Sequence, residues 1–110
     1  MIEENNEKHV SINTNVSKKM KRRFKILCAE KELTMSTVIE QSIKTWIQAN
    51  APISDFTADL SNKEYEIVKG YIPHFLKTEF KVFCTQHGIT MNQALYNLLR
   101  QWIEANNSSN

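Results

Sequence analysis

The fold is decided by residues 10–24, which read VSINTNVSKKMKRRF. The first seven of them alternate between two classes of side chain. A period of two is typical of a strand with one buried face and one face in water. The sequence therefore predicts a strand over residues 10–16. Its inward set is Val10, Ile12, Thr14 and Val16, and its outward set is Ser11, Asn13 and Asn15.

The outward side chains are amides and a hydroxyl, not the Lys and Glu of a merely solvated strand. An Asn amide can form two hydrogen bonds with the exposed edge of adenine, and Ser can bond to several bases. Six of the eight residues 18–25 are Lys or Arg, a group suited to attracting phosphate. The alternative to base reading by the strand is an ordinary exposed strand face. The alternative to phosphate attraction by residues 18–25 is a solvated helix surface. The candidate phosphate-attracting residues are Lys18, Lys19, Arg22 and Arg23.

Positive charge is unevenly spread along the 110 residues, whose net charge is +2. Residues 9–50 hold eight Lys or Arg against three Glu, whereas residues 65–106 hold four against three. Residues 1–8 and 51–64 are each acidic, with a net charge of −2. This asymmetry favours a polyanionic partner for the first half of the chain.

Two helices are predicted after the strand. Ser17 is suited to cap a helix over residues 18–32, and Thr34 to cap a second one that runs to about residue 50. Apolar side chains recur at helical spacing in both. In the second helix they are Met35, Val38, Ile39, Ile43, Trp46 and Ile47.

The same pattern returns 56 residues later. This shift aligns the second half with the first without a gap and gives ten identities, several of them between rare residue types. We interpret this as an internal duplication. The identities include Phe24 with Phe80, Cys28 with Cys84, Thr34 with Thr90, and Trp46 with Trp102.

The duplication predicts a flexible N-terminus at 1–8, units at 9–50 and 65–106, a linker at 51–64 and a tail at 107–110. Each unit is close to the size, about 40 residues, below which a lone domain rarely has a sufficient core. A single strand also has no partner within its own unit. We therefore expect the two strands to pair in the same chain, where the tether keeps their effective concentration high.

The order of strand, capped helix and Thr-started second helix, with Asn and Ser on the strand's outer face, resembles the ribbon-helix-helix (MetJ/Arc) family. The resemblance covers both units. Because one chain carries two units, it is similar to the tandem, single-chain (TraY-like) members of the family. It implies a mainly α fold with one short two-stranded antiparallel ribbon, in which two units form an intramolecular pseudo-dimer. It also implies that the ribbon enters the major groove of DNA.

The resemblance further implies which residues contact DNA. The base-reading positions are Ser11, Asn13 and Asn15 in the first unit and Ile67, Lys69 and Tyr71 in the second. The second set departs from the family pattern: Lys69 suits guanine or phosphate, Tyr71 a phosphate and Ile67 a thymine methyl. The start of each unit's second helix is expected to hold a phosphate. Those positions are Thr34, Met35 and Ser36, and Thr90, Met91 and Asn92.

The sequence gives little support to other functional classes. The chain has two glycines and no nucleophile–base set or paired carboxylates, so we expect no enzyme and no cofactor. Cys84 and His87 are too few ligands for a zinc site, and both cysteines are expected to be buried structural thiols. Without a signal peptide or an apolar run long enough to span a membrane, we expect a cytoplasmic, nucleoid-associated protein.

The sequence thus predicts a protein that binds double-stranded DNA sequence-specifically. A transcriptional repressor and a plasmid maintenance or conjugation accessory factor both fit. Self-association along DNA, or exchange of units between two chains, stays open. The alternatives are a helical dimerisation scaffold that does not bind DNA, and an antitoxin. The antitoxin is disfavoured because residues 107–110 are short for a toxin-binding tail.

Overall fold

The computed structural model describes residues 8–50 and 65–107. This part of the chain is mainly helical, and none of its helices is long and apolar enough to cross a membrane. Its elements are β1 (His9–Ser17), α1 (Lys18–Glu30), α2 (Met35–Ala49), β2 (Tyr65–Pro73), α3 (His74–Gln86) and α4 (Met91–Asn106). The predicted linker at 51–64, residues 1–7 of the N-terminus and residues 108–110 of the tail lie outside the described residues.

The two strands pair with each other and form one antiparallel ribbon. The predicted strand at 10–16 is confirmed and extends by one residue at each end. In the pairing register, Asn13 lies opposite Lys69, with His9 opposite Pro73 and Ser17 opposite Tyr65 at the ends. The central pair is separated by the 56 residues of the sequence repeat, so the pairing is symmetric about equivalent positions.

The predicted alternation of β1 is confirmed from Ile12 to Val16, whereas Val10, predicted to face inward, is half-buried like its neighbour Ser11. Ile12, Thr14 and Val16 are buried in β1, and Val68 and Ile72 are buried in β2. Burying these side chains against the helices removes apolar surface from water, which favours folding. The opposite face of the ribbon is therefore the one left to solvent.

Gly70 occupies an inward position of β2. It is buried, and an added Cβ would lie 2.7 Å from Cδ1 of Ile39 and 3.2 Å from Cα of Ser36. Glycine thus lets the first turn of α2 approach the backbone of β2 closely.

The caps of the second helices are as predicted. Thr34 and Thr90 accept hydrogen bonds from the N–H groups of Thr37 and Gln93. The predicted end of the first helix at residue 32 is wrong, because α1 ends at Glu30. Glu32 instead has a positive φ of 57° and closes a turn in which Leu33 N–H donates to the carbonyl of Cys28.

The core joins the two halves of the chain. α2 packs over β2, and α4 packs over β1, so each second helix covers the strand of the other half. The ring of Phe24 meets Trp102 edge-on at 5.6 Å between centroids, and Phe80 meets Trp46 at 5.8 Å. Both contacts cross between halves, and they lie at positions related by the 56-residue repeat.

Candidate nucleic-acid interface

The six residues predicted to read bases lie on one face of the ribbon. We call this surface the ribbon face; it comprises Ser11, Asn13, Asn15, Ile67, Lys69 and Tyr71. Five of the side chains are exposed and Ser11 is half-buried. The strand register places them in three opposed pairs: Ser11 with Tyr71, Asn13 with Lys69, and Asn15 with Ile67.

The ribbon face carries a cation, Lys69, and no carboxylate. Glu66 in the same strand belongs to the opposite face, where its carboxylate lies 3.7 Å from the Lys21 ammonium. The alternation of the strand thus keeps this acid off the surface that would meet a polyanion. The ribbon face is electrostatically compatible with phosphate on either side of it.

One end of the ribbon is hydrogen-bonded to the first turn of α2. The N–H of Tyr71 donates a 2.9 Å hydrogen bond to Oγ of Ser36, which lies in the first turn of that helix. The close approach permitted by Gly70 makes this contact geometrically accessible. The N-terminus of α2 therefore lies beside the Ser11–Tyr71 end of the ribbon face.

The other end of the ribbon is hydrogen-bonded to the first turn of α4, through an equivalent position. The N–H of Asn15 donates a 3.2 Å hydrogen bond to Oδ1 of Asn92, the residue 56 positions after Ser36. The hydroxyl of Thr14 also donates to Asn92, at 2.9 Å from its backbone carbonyl oxygen. The N-terminus of α4 therefore lies beside the Asn15–Ile67 end of the ribbon face.

These two helix starts can bind anions through their backbones. The first N–H groups of a helix have no acceptor within it, and the helix dipole favours negative charge there. The side-chain oxygens of Ser36 and Asn92 accept from the ribbon, and this leaves the Ser36 O–H and the Asn92 amide N–H as donors beside the backbone N–H groups. Thr90 differs from Thr34, since its own N–H is taken by Oε1 of Gln93 in a capping box.

The structure separates the basic residues of α1 that the sequence grouped together. All four residues, Lys18, Lys19, Arg22 and Arg23, are exposed, but they differ in their surroundings. Lys19 and Arg23 line a cavity of about 280 Å³ against the C-terminal half of α4, and Arg23 donates to Oδ1 of Asn107 at 2.6 Å. Lys19 and Arg23 are thus directed toward the flank of α4, away from its N-terminus at the ribbon.

Lys77 lies close to the ribbon face and was not predicted from the sequence. Its ammonium donates a 3.0 Å hydrogen bond to the backbone carbonyl of Ser11, so α3 holds the opposite strand in place. The repeat contained a signal, because Lys21 and Lys77 are one of the four identities that α1 and α3 share at equivalent positions. Both reach toward the strand of the other half, Lys21 through Glu66.

The cysteines lie away from this surface in the core, and their predicted burial is confirmed. Desolvation raises the pKa of the Cys28 thiol, and it raises the pKa of Cys84 to about 11. Both thiols therefore stay protonated at neutral pH and are poor nucleophiles. Within residues 8–50 and 65–107, no group of three or more His, Cys, Asp or Glu could hold a metal ion.

Comparisons of the chain with protein-family models, curated proteins and solved structures found no significant match.

Proposed function

We propose that the chain is a tandem ribbon-helix-helix protein whose two halves form a pseudo-dimer, and that it binds double-stranded DNA sequence-specifically. The observation that carries this proposal is the ribbon face itself. Six side chains suited to base edges and phosphate share one exposed surface, and a helix N-terminus is hydrogen-bonded to the ribbon near each end.

The dimensions of the ribbon support the proposal. Two paired strands lie about 4.8 Å apart, and the major groove of B-DNA, about 12 Å wide, admits such a ribbon with its side chains. The N-termini of α2 and α4 would then meet the phosphates that border the groove and fix the ribbon within it. Asn13 and Asn15 would pair with adenine, and Lys69 with guanine or a phosphate.

The opposed pairs of the ribbon face also define the kind of site. Outward residues related by the 56-residue repeat all differ, so the two strands present different chemistry to the groove: Ser11 corresponds to Ile67, Asn13 to Lys69 and Asn15 to Tyr71. A homodimeric ribbon would present the same chemistry twice and favour a palindrome. We therefore propose an asymmetric binding site, in which the first strand supplies most of the specificity.

Selection of binding sequences from random DNA, followed by affinity measurements at two salt concentrations, tests this function. We expect one enriched asymmetric site and a steep loss of affinity with salt. Asn13→Ala should relax the preference at a base pair by about 1–3 kcal/mol. Arg22→Ala should weaken binding to all sequences and reduce the salt slope by about 1.

The matched control is Gln101→Ala, an exposed position on α4 about 15 Å along the helix from its N-terminus. It should leave both the selected site and the salt slope unchanged. A helical scaffold without DNA binding would give neither enrichment nor a salt slope. If Asn13→Ala left the selected profile unaltered, the assignment of base reading to β1 would be wrong.

The biological role depends on where the selected sequence occurs. A site overlapping a promoter would indicate a transcriptional repressor, whereas a site at a plasmid transfer or partition locus would indicate a conjugation or maintenance factor. Light scattering of the purified chain tests the pseudo-dimer, for which we expect the mass of a single chain. A two-chain mass would instead indicate exchange of units.

A further inference from the structure

The ribbon face is chemically unequal at its two ends. Asn15 lies opposite Ile67 at one end, and Ser11 lies opposite Tyr71 at the other. Of the six side chains on this face, Ile67 alone is aliphatic, and 52% of its surface is exposed. An aliphatic side chain directly beside an amide offers a different kind of contact from any other pair on the ribbon.

The packing of the core does not account for Ile67. Its neighbour Val68 is the residue of this segment that enters the core, with 1% of its surface exposed. Because successive residues of a strand point to opposite faces, Ile67 projects away from the helices. A single exposed Ile is common on protein surfaces. What distinguishes Ile67 is its position directly opposite Asn15 on the ribbon face.

The spacing of this pair matches the spacing of bases. Opposed side chains on a ribbon have Cβ atoms about 4.5–5.5 Å apart. Successive base pairs of B-DNA are about 3.4 Å apart along the axis. In the major groove, Asn15 and Ile67 would therefore meet the same base pair or two neighbouring ones.

Resting on the DNA-binding function proposed above, we propose that the Asn15–Ile67 end of the ribbon reads the C5-methyl group of a thymine. A thymine presents this methyl in the major groove, and its paired adenine presents the N7 and N6 groups that an Asn amide can bind. Ile67 packs against the methyl, and Asn15 binds an adenine within one base-pair step of it. The Ser11–Tyr71 end has a hydroxyl and a phenol instead and carries no such requirement.

The contacts behind this pair fix where it would lie on DNA. The N–H of Asn15 and the hydroxyl of Thr14 both donate to Asn92 in the first turn of α4. A phosphate bound at the N-terminus of α4 would thus set the position of Asn15, and Ile67 follows through the strand register. Asn92 is accordingly a positioning residue for this end of the ribbon.

Replacement of single thymines by deoxyuridine in the selected site tests the proposal, since this change removes only the C5-methyl group. We expect one or two thymines at one end of the site to matter. Each such replacement should weaken binding by about three- to fivefold, the value of one apolar methyl contact. Replacements at the other end should leave the affinity unchanged.

Variants of the ribbon tie the effect to Ile67. Ile67→Ala should weaken binding to the thymine site and abolish the difference between thymine and deoxyuridine. Tyr71→Ala, an equally exposed position at the other end, should keep that difference. Because both side chains are on the exposed face, circular dichroism and thermal unfolding should match those of the unaltered protein.

The outcomes separate the two proposals. If no sequence is enriched at all, the DNA-binding function fails and this inference fails with it. If a site is enriched but tolerates deoxyuridine throughout, or if Ile67→Ala keeps the sensitivity, only the thymine-methyl inference is overturned. Equal sensitivity at both ends would also overturn it.

Discussion

The first half of the chain, residues 8–50, and the second half, residues 65–107, share several equivalent core contacts but have different surface chemistry. Phe24 and Phe80 each meet a Trp of the other half, and Ser36 and Asn92 each accept a hydrogen bond from the other half's strand. The outward positions of the strands, by contrast, share no residue type. Packing has kept the framework alike, while the solvent-facing positions have diverged.

The first helices of the two halves show the same divergence. Positions that carry Lys19, Arg23 and Ile26 in α1 carry Phe75, Glu79 and Val82 in α3. Since neither set contributes to the buried core, both are compatible with one backbone. The difference teaches that a duplicated fold can carry exposed positive charge on the first helix of one half without altering the other half.

The largest effect should come from breaking the core that the halves share. Phe24→Ala and Phe80→Ala should each lower the free energy of unfolding by about 3–5 kcal/mol, because each removes a fully buried ring that packs on a Trp. Denaturant unfolding followed by both Trp fluorescence and far-UV circular dichroism measures this. The two signals should change together, since each contact belongs to both halves.

A milder and a neutral variant keep that experiment interpretable. Phe80→Leu should remain folded and lose less stability, whereas Ile26→Ala, with 47% of its side chain exposed, should stay within about 0.5 kcal/mol. Separate transitions for the two signals would show that the halves fold independently. That result would contradict the shared core.

Much of the framework could be predicted because it depends on periodicity and repetition. The strand faces, the Thr34 and Thr90 caps and the pairing of equivalent strands all follow from local patterns together with the 56-residue shift. The end of α1 could not be predicted, since Glu32 adopts a left-handed conformation that is rare for Glu. Local propensity gave no sign of it.

The candidate site was predictable in part, for a similar reason. Outward strand positions follow from alternation, so the ribbon face could be listed from the sequence. The bond from Lys77 to the Ser11 carbonyl and the direction of Arg23 toward Asn107 depend on how distant segments pack. Neither has a signature within its own helix beyond the identity of Lys21 and Lys77 in the repeat.

A smaller effect should come from Gly70, the inward position of β2 that has no side chain. Gly70→Ala should lower the free energy of unfolding by about 1–3 kcal/mol, because the new Cβ meets Cδ1 of the fully buried Ile39 and the backbone of Ser36. At the equivalent position β1 carries Thr14, whose hydroxyl donates a hydrogen bond to Asn92 in the first turn of α4. Thermal or urea unfolding measures the loss.

Ile39→Val sharpens this prediction, since it removes the Cδ1 atom that the new methyl would strike. Alone it should cost about 0.5–1.5 kcal/mol as an ordinary core truncation. Combined with Gly70→Ala, the total loss should be less than the sum of the two single losses. Strictly additive losses would show that the close approach of α2 to β2 is not what requires glycine.

The smallest effect should come from the turns that end α1 and α3. Glu32 and Gly88 lie at equivalent positions, with φ of 57° and 72°, and both precede a residue whose N–H bonds back into the helix. A left-handed conformation costs a residue with a Cβ about 1–2 kcal/mol. Glycine avoids this strain, but it loses more conformational entropy on folding, which cancels part of the gain. Glu32→Gly should therefore stabilise the protein by up to about 1 kcal/mol, whereas Gly88→Ala should destabilise it by about 1 kcal/mol. Because a Cβ at Gly88 would meet nothing within 4 Å, the stability lost in Gly88→Ala would report the backbone strain alone. Urea unfolding of the two variants side by side measures both, and a loss of stability in Glu32→Gly would show that the Glu32 side chain makes a contact worth more than the strain.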